Sequence, residues 1–289
     1  MRLIDGAAIA QEIEETIKHA IGITTHRKPG LAFILVGNHP ASRSYIKMKK
    51  KKCAEVGILS IDKELHDEIS EQELLDEIQK LNCDPSVDGI LVQLPLPSHL
   101  STHNVLEAID PAKDVDGFHP LNVGKMLLGE NGGFLPCTPL GIHVMLTHSQ
   151  VPLLGKHVVI VGRSNIVGKP LAAILMQKAP HCNATVTVVH SLSEHLPQIC
   201  QSADVLIAAI GQPRFIQPHM VKPGAVVIDV GINRIDCCGK SKIVGDVDFD
   251  AVAPMCSMIT PVPKGVGPMT IAMLLSNTLL SYQRSNWKP

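Results

Sequence analysis

Tyr45 and Lys49 stand four residues apart in Tyr45-Ile46-Lys47-Met48-Lys49. On a helix that spacing puts both side chains on one face. A lysine moves protons near neutral pH only if its basicity falls, and burial or neighbouring cations lower it. Lys47, Lys50, Lys51 and Lys52 supply the cations. A lysine-rich helix ordinarily presents a solvated face, and most of this run is expected to do so. Tyr45 singles out Lys49, because aromatic residues make up only 3% of the chain.

Gln93 closes the apolar run Gly89-Ile90-Leu91-Val92, with Pro95 and Pro97 just beyond. Open α/β sheets bind ligands outside the carboxyl ends of their strands, so Gln93 is placed where a site should be. The plainer alternative is a polar strand-end residue bonded to a loop. Asp114 and Asp116 would share one face of an extended segment. They suit a metal pair, an acid/base pair, or a binding carboxylate with a structural neighbour. Asp116-Gly117 also reads as a turn. Spacing leaves these alternatives open.

Gly162-Arg163-Ser164-Asn165-Ile166-Val167-Gly168 follows a strand-like run and opens a helix-like one. Glycine permits the tight turn and close backbone approach to a phosphate, and the helix N-terminus offers N–H groups to the anion. The spacing is G-x-S-x-x-x-G rather than G-x-G-x-x-G, so the strand–loop–helix context carries the nucleotide reading. The next strand ends His190-Ser191-Leu192-Ser193, with no acid before Glu194. NAD enzymes usually place an acid there for the ribose hydroxyls. Arg163 in the loop suits a 2′-phosphate instead, so NADP is expected over NAD.

The elements that must position these residues follow an α/β rhythm. Residues 31–36 and 89–92 are continuous apolar runs, expected as strands buried on both faces of a parallel sheet. Residues 42–56 and 70–81 read as helices, the second capped by Ser70 with Glu73 completing a capping box. Residues 110–138, rich in proline and glycine, are expected to connect two domains. Strands follow at 157–161, 185–189, 204–210 and 225–230. Helices follow at 168–178, with Pro170 in the first turn, and at 267–283. The fold class is thus α/β in two domains.

The 289 residues exceed what one core typically supports, which agrees. A formal charge of −1 argues against nucleic acid as a partner. No apolar run reaches a membrane span, and the start lacks the apolar stretch of a signal peptide, so a cytoplasmic protein is expected. Eight cysteines form no C-x-x-C, and Cys237-Cys238 is the closest pair. Reduced thiols are expected, and no metal.

Six segments then occur in a telling order: the Tyr45–Lys49 motif, Val92-Gln93-Leu94-Pro95-Leu96-Pro97, Lys113-Asp114-Val115-Asp116-Gly117, Pro136-Cys137-Thr138-Pro139, Gly162-Arg163-Ser164 and Gly265-Val266-Gly267-Pro268-Met269-Thr270. With them the chain resembles, over essentially its full length, the bifunctional methylenetetrahydrofolate dehydrogenase/methenyltetrahydrofolate cyclohydrolase family, the FolD type. The resemblance implies an N-terminal folate-binding catalytic domain (1–137 with 267–289) and a Rossmann-like NADP-binding domain (138–266), with a cleft between them. The last helix would return to the first domain, and the chain would form a homodimer. It further implies that Lys49 carries the proton transfers of the cyclohydrolase step and that Gln93 holds and tunes it. Tyr45 would stack on the folate and Asp116 would hydrogen-bond its pterin. Asp114 is left as local scaffold. On the cofactor side it implies Gly162, Arg163, Ser164, Gly168, a 2′-phosphate contact by Ser191 and a backbone contact by Ile232. Gly267 and Pro268 would line the folate side. Tetrahydrofolate one-carbon derivatives are the implied substrates, and the lysine run Lys47, Lys50 and Lys51 is expected to attract their polyglutamate tails. A two-domain NADP oxidoreductase of the shikimate dehydrogenase kind would also carry a first-domain lysine, but the Gln93 and Asp116 motifs argue against it. One position departs from the family pattern: Lys264 replaces the first glycine of the usual P-V-P-G-G-V-G-P. It is expected to tolerate a side chain.

Overall fold

The computed structural model describes residues 1–24, 26–237 and 240–286. Cys238 of the adjacent cysteine pair lies outside them. In chain order the elements are β1 (Arg2–Leu3), α1 (Gly6–Gly22), β2 (Gly30–Val36), α2 (Pro40–Val56), β3 (Leu59–Leu65), α3 (Glu71–Cys83), β4 (Gly89–Val92), α4 (Thr102–Glu107), α5 (Pro120–Leu128), α6 (Cys137–His148) and β5 (His157–Val161). There follow α7 (Gly168–Leu175), β6 (Thr185–Val189), α8 (Leu196–Gln201), β7 (Val205–Ala208), β8 (Val226–Asp229), β9 (Asn233–Cys237), β10 (Lys240–Val244), α9 (Phe249–Val252), β11 (Met258–Ile259) and α10 (Val266–Asn286). The chain forms two compact units.

The first unit, residues 12–125, 130–137 and 271–289, is built on a three-stranded parallel sheet of order β3-β2-β4. Every residue of β2 is buried, as its unbroken apolar run requires of a central strand. Beneath it Ala32, Ile34, Ile90 and Val92 pack with Leu74, Ile78 and Leu81 of α3. Helix α3 starts at the expected capping box: the Ser70 hydroxyl accepts the Glu73 N–H, and the Glu73 carboxylate accepts the Ser70 N–H over 3.0 Å. Edge strand β3 carries Asp62, Lys63 and Glu64 between its apolar residues. Charged edge residues discourage pairing with another chain.

The second unit, residues 1–11, 126–129 and 138–270, holds a six-stranded parallel sheet of order β1-β11-β8-β7-β5-β6. Strand order reverses at β5, with β6 on one side and β7 on the other. That switch point is where ligands of open parallel sheets bind. One face is sealed by Leu206, Val227, Ile259, Ile216 and Val252.

The strands 89–92, 157–161 and 185–189 lie where their patterns put them. Helix 168–178 ends earlier, at Leu175, and strand 204–210 narrows to Val205–Ala208. Two expectations differ from the structure. Residues 110–125 are not a connection but part of the first unit, because buried Asp114 gathers a turn around itself and α5 follows. The expected division at 1–137 with 267–289 against 138–266 also differs at the start of the chain. There β1 pairs with β11 and carries residues 1–11 into the six-stranded unit. The final helix divides at Thr270, and its Ile271–Asn286 portion belongs to the first unit. There the Asn277 amide donates to Val115 O over 2.8 Å and the Ser281 hydroxyl to Ala112 O over 2.8 Å.

Candidate functional site

In the first unit α2 buries Ser42, Ile46, Lys49, Cys53 and Val56. These positions recur at intervals of four, three, four and three, which is the inward stripe of an amphipathic helix. Lys49 therefore lies in the buried stripe, at 6% exposure, while Lys47 and Lys51 on the same helix are exposed. Its neighbours on the run are countered: Lys50 pairs with Asp62 at 2.5 Å, Lys51 with Glu55 at 3.8 Å and Lys52 with Glu14 at 2.8 Å.

Lys49 Nζ donates to Gln93 Oε1 over 3.2 Å and lies 5.1 Å from the centre of the Tyr45 ring. Gln93 follows β4 directly, and its amide donates back to Leu94 O over 2.7 Å, which aims Oε1 at the lysine. Burial pushes the Lys49 pKa below its ordinary value, opposed by the charge of Asp116 and the Cys137 and Cys53 thiols. Burial pushes Asp116 up, opposed by Lys49 and the Cys137 thiol. Tyr45 rises for the same reason, with Asp116 adding to the effect. The structure thus brings together Tyr45, Lys49, Gln93 and Asp116. A low-basicity amine, an amide that orients it, a ring and a carboxylate can bind a flat, nitrogen-rich ligand and move its protons.

Asp114 is different. Its buried carboxylate accepts the N–H groups of Gly117, Phe118 and His119 over 3.2, 3.2 and 2.8 Å, and the Asn122 amide over 2.8 Å. Gly117, at φ +77, closes this turn: a Cβ there would lie 2.6 Å from the backbone of Leu135 and Pro136. Only a left-handed glycine fits both constraints.

In the second unit Gly162 follows β5 directly with φ +135, and a Cβ on it would lie 2.1 Å from Ala209 O. A Cβ on Gly168 would lie 2.1 Å from Gly162 O. Both glycines are therefore required by close backbone packing at the switch point. The Ser164 hydroxyl accepts the Val167 N–H over 3.1 Å and so holds the turn itself. Arg163 and Ser191 are exposed. The loop is thus a backbone cradle beside a cation and a hydroxyl, a set that suits a phosphorylated dinucleotide. Ile232 is 53% exposed, and a Cβ on Gly267 would lie 3.6 Å from its Cδ1. Gly267 and Pro268 belong to this unit and are partly buried.

Family models match both halves of the chain. Residues 4–116 match tetrahydrofolate dehydrogenase/cyclohydrolase, catalytic domain, and residues 136–286 match the NAD(P)-binding domain of the same description. The chain belongs to the tetrahydrofolate dehydrogenase/cyclohydrolase family. The bifunctional protein FolD of Protochlamydia amoebophila is 58% identical over 286 residues, covering 98% of each chain. The crystal structure of the FolD methylenetetrahydrofolate dehydrogenase/cyclohydrolase of Campylobacter jejuni is 48% identical with a TM-score of 0.95, over 98% of this chain and 99% of that one. That of Trypanosoma brucei FolD, complexed with NADP cofactor and inhibitor, is 37% identical with a TM-score of 0.92, over 98% and 97%. As a family member this chain is an enzyme of two α/β domains, one of them Rossmann-like.

One feature beside the lysine cluster escapes sequence reasoning. Cys137 is buried beside the lysine cluster, its thiol 3.4 Å from Val115 O and pushed well above its usual pKa by burial and by Asp116. A lone cysteine gives no spacing signal; only the Pro136–Pro139 motif marked it. His99 and His103 stand four apart with Glu107 beyond, a spacing that suits metals, yet His99 bonds Ile69 O at 2.9 Å and His103 meets Glu107 at 3.5 Å. Lys264 has φ +84, so the position does require the left-handed region, against the expectation that it readily accommodates a side chain.

Proposed function

We propose that this enzyme oxidises 5,10-methylenetetrahydrofolate to 5,10-methenyltetrahydrofolate with NADP⁺ and hydrolyses the product to 10-formyltetrahydrofolate. One observation carries the hydrolytic half: a buried lysine of lowered basicity held at 3.2 Å by Gln93 and 5.1 Å from the ring of Tyr45.

In this reading Tyr45 stacks on the folate and Asp116 hydrogen-bonds the pterin, which fixes the one-carbon unit over Lys49. The substrate's own nitrogen lone pair drives hydride departure, so the chain's part in oxidation is orientation. Hydride acceptance is the one chemistry supplied by bound NADP⁺. In hydrolysis, neutral Lys49 takes a proton from the water that adds to the methenyl carbon. The resulting ammonium returns that proton to the ring nitrogen as its bond to the carbon breaks, and the added hydroxyl releases its remaining proton to solvent as it becomes the formyl carbonyl. Gln93 keeps the amine on this line by accepting one of its N–H groups. The residues that would hold the cofactor are Gly162, Arg163, Ser164, Gly168, Ser191 and Ile232, with Arg163 and Ser191 toward the 2′-phosphate. Gly267 and Pro268 are proposed for the folate side.

The wider reading has the enzyme in the cytoplasm as a homodimer, with the three-stranded unit as the folate domain and the six-stranded unit as the NADP domain. Sedimentation at micromolar concentration should give the mass of two chains. A preference for polyglutamylated substrate is expected to rest on exposed Lys47 more than on Lys50 and Lys51, whose charges are already countered. That preference should fade as salt rises.

A spectrophotometric assay with 5,10-methylenetetrahydrofolate tests the core of the proposal. Turnover with NADP⁺ well above that with NAD⁺, followed by loss of the methenyl product, is the expected result. No turnover would overturn it, and methenyl product that persists would leave the dehydrogenase alone.

A further inference from the structure

Two carboxylates that the chemistry above does not use, Asp229 and Asp246, lie among the Gly231-Ile232-Asn233 and Gly245-Asp246-Val247 segments. Asp246 is fully buried and Asp229, the last residue of β8, is 2% exposed. One oxygen of Asp246, Oδ2, accepts the N–H groups of Ile210 and Gly211, each over 2.8 Å. The other, Oδ1, accepts the Asn233 side-chain amide over 2.8 Å. Asp229 in turn accepts the N–H groups of Gly231, Asp246 and Val247 over 3.1, 2.8 and 3.0 Å. Its own N–H donates to the Thr260 hydroxyl over 2.7 Å.

Glycines make room for this network. A Cβ on Gly231 would lie 2.2 Å from Asp246 Oδ1, and one on Gly245 would lie 1.7 Å from Asp229 Oδ2. The segments it ties are those that leave the carboxyl ends of β7 and β8. The first begins at Ala209, whose carbonyl packs against Gly162 of the cofactor loop. The second carries Ile232. A carboxylate that accepts three N–H groups and donates none fixes the direction of each, and charge-assisted bonds are about twice as strong as neutral ones.

We propose that Asp246, seated on Asp229, is a positioning residue for the dinucleotide: it clamps the 209–211 and 231–233 segments in the one arrangement that accepts the cofactor. It touches neither cofactor nor folate and acts through the backbone it holds. The inference rests on the NADP reading above.

The test compares NADP⁺ affinity with cyclohydrolase activity measured on methenyltetrahydrofolate without nucleotide. Asp246→Ala should weaken NADP⁺ binding by calorimetry at least tenfold, while nucleotide-free cyclohydrolase stays within twofold of the parent. Asn233→Ala keeps the Ile210 and Gly211 bonds but removes the bond of Asp246 to the second segment, and should weaken NADP⁺ binding severalfold in a protein that folds. Unchanged NADP⁺ affinity in both variants would overturn the inference. So would parallel loss of both activities in Asp246→Ala together with unchanged affinity in Asn233→Ala. A parent enzyme that does not bind NADP⁺ would instead overturn the cofactor reading.

Discussion

Asp114 and Asp116 are separated by one residue and answer to different partners. Asp114 holds four donors of its own turn, whereas Asp116 faces Lys49 and Cys137. Substitution should separate them. Asp114→Ala strands three backbone N–H groups and the Asn122 amide in the interior, at a cost on the order of 3 kcal/mol or more. Asp116→Ala removes a carboxylate whose burial is itself unfavourable, so its stability should change little. Thermal unfolding and folate kinetics on the two variants should show a large drop in Tm for the first and a raised folate KM for the second. The opposite pattern would exchange their roles.

Lys49→Met keeps the volume of the stem and removes the amine. Loss of a positioned acid/base group costs roughly 10²- to 10⁴-fold in rate. Cyclohydrolase activity should fall by that factor while dehydrogenase activity stays measurable, because the substrate supplies the push for hydride loss. Assays of both steps on one preparation decide the matter. Equal loss in both would make Lys49 a residue that positions folate rather than one that moves protons.

The same lysine sets a pH dependence. As a base it works when neutral, and burial holds its pKa below 10.5. Cyclohydrolase rate should therefore rise with pH along a limb centred below that value. Asp116 opposes the shift, so Asp116→Asn should move the limb to lower pH. Stability has a related sign. The unfolded chain holds the Lys49 proton up to about 10.5, the folded chain releases it earlier, and stability rises with pH between the two values. Denaturant titrations across that window should show the rise in the parent and lose it in Lys49→Met.

Much of this site was legible in the sequence because it sits in regular elements. Tyr45 and Lys49 share a helix face, and Gln93 follows a strand that only an apolar run could make. A stronger signal was also present: Ile46, Cys53 and Val56 repeat at helical intervals, and Lys49 occupies the missing place in that stripe. Helix α1 was equally readable from Ile9, Ile13, Ile17 and Ile21 at four-residue spacing, yet it lay outside the expectations. Strand β3 hid because its polar edge residues mimic a loop. The role of residues 110–125 was not readable. Prolines and glycines mark a change of direction, and whether that change links two domains or builds a buried turn depends on the Asp114 carboxylate turning inward onto Gly117, Phe118, His119 and Asn122, which no periodicity marks. Asp246 and Asp229 were invisible for the same reason, since their donors come from three separate segments.

Arg163 is exposed beside the Gly162 turn and is the cation proposed for the 2′-phosphate. NAD lacks that phosphate, so the two cofactors should respond differently to its removal. Arg163→Ala should raise the NADP⁺ KM at least tenfold, about the value of one charge-assisted contact, and leave the NAD⁺ KM within twofold. Equal effects would defeat the assignment and return the selectivity to another residue.

Lys264 is the position where this chain carries a residue its backbone resists. Its φ of +84 lies in the left-handed region, which costs a side-chain-bearing residue about 1–2 kcal/mol. The turn cannot relax around it. Its carbonyl accepts the Ala7 N–H over 3.0 Å, and a Cβ on the following Gly265 would lie 2.4 Å from Pro261 O. Lys264→Gly relieves the strain but adds freedom to the unfolded chain, an offset of roughly 0.5–1 kcal/mol. The net expectation is a gain of about 0.5–1 kcal/mol, or about 1–4 °C in Tm for a chain of this size. The side chain is exposed, so KM for folate and for NADP⁺ should stay within twofold. A variant that gains stability but loses affinity for one ligand would show that the lysine charge serves that ligand, and that the strain is retained for binding.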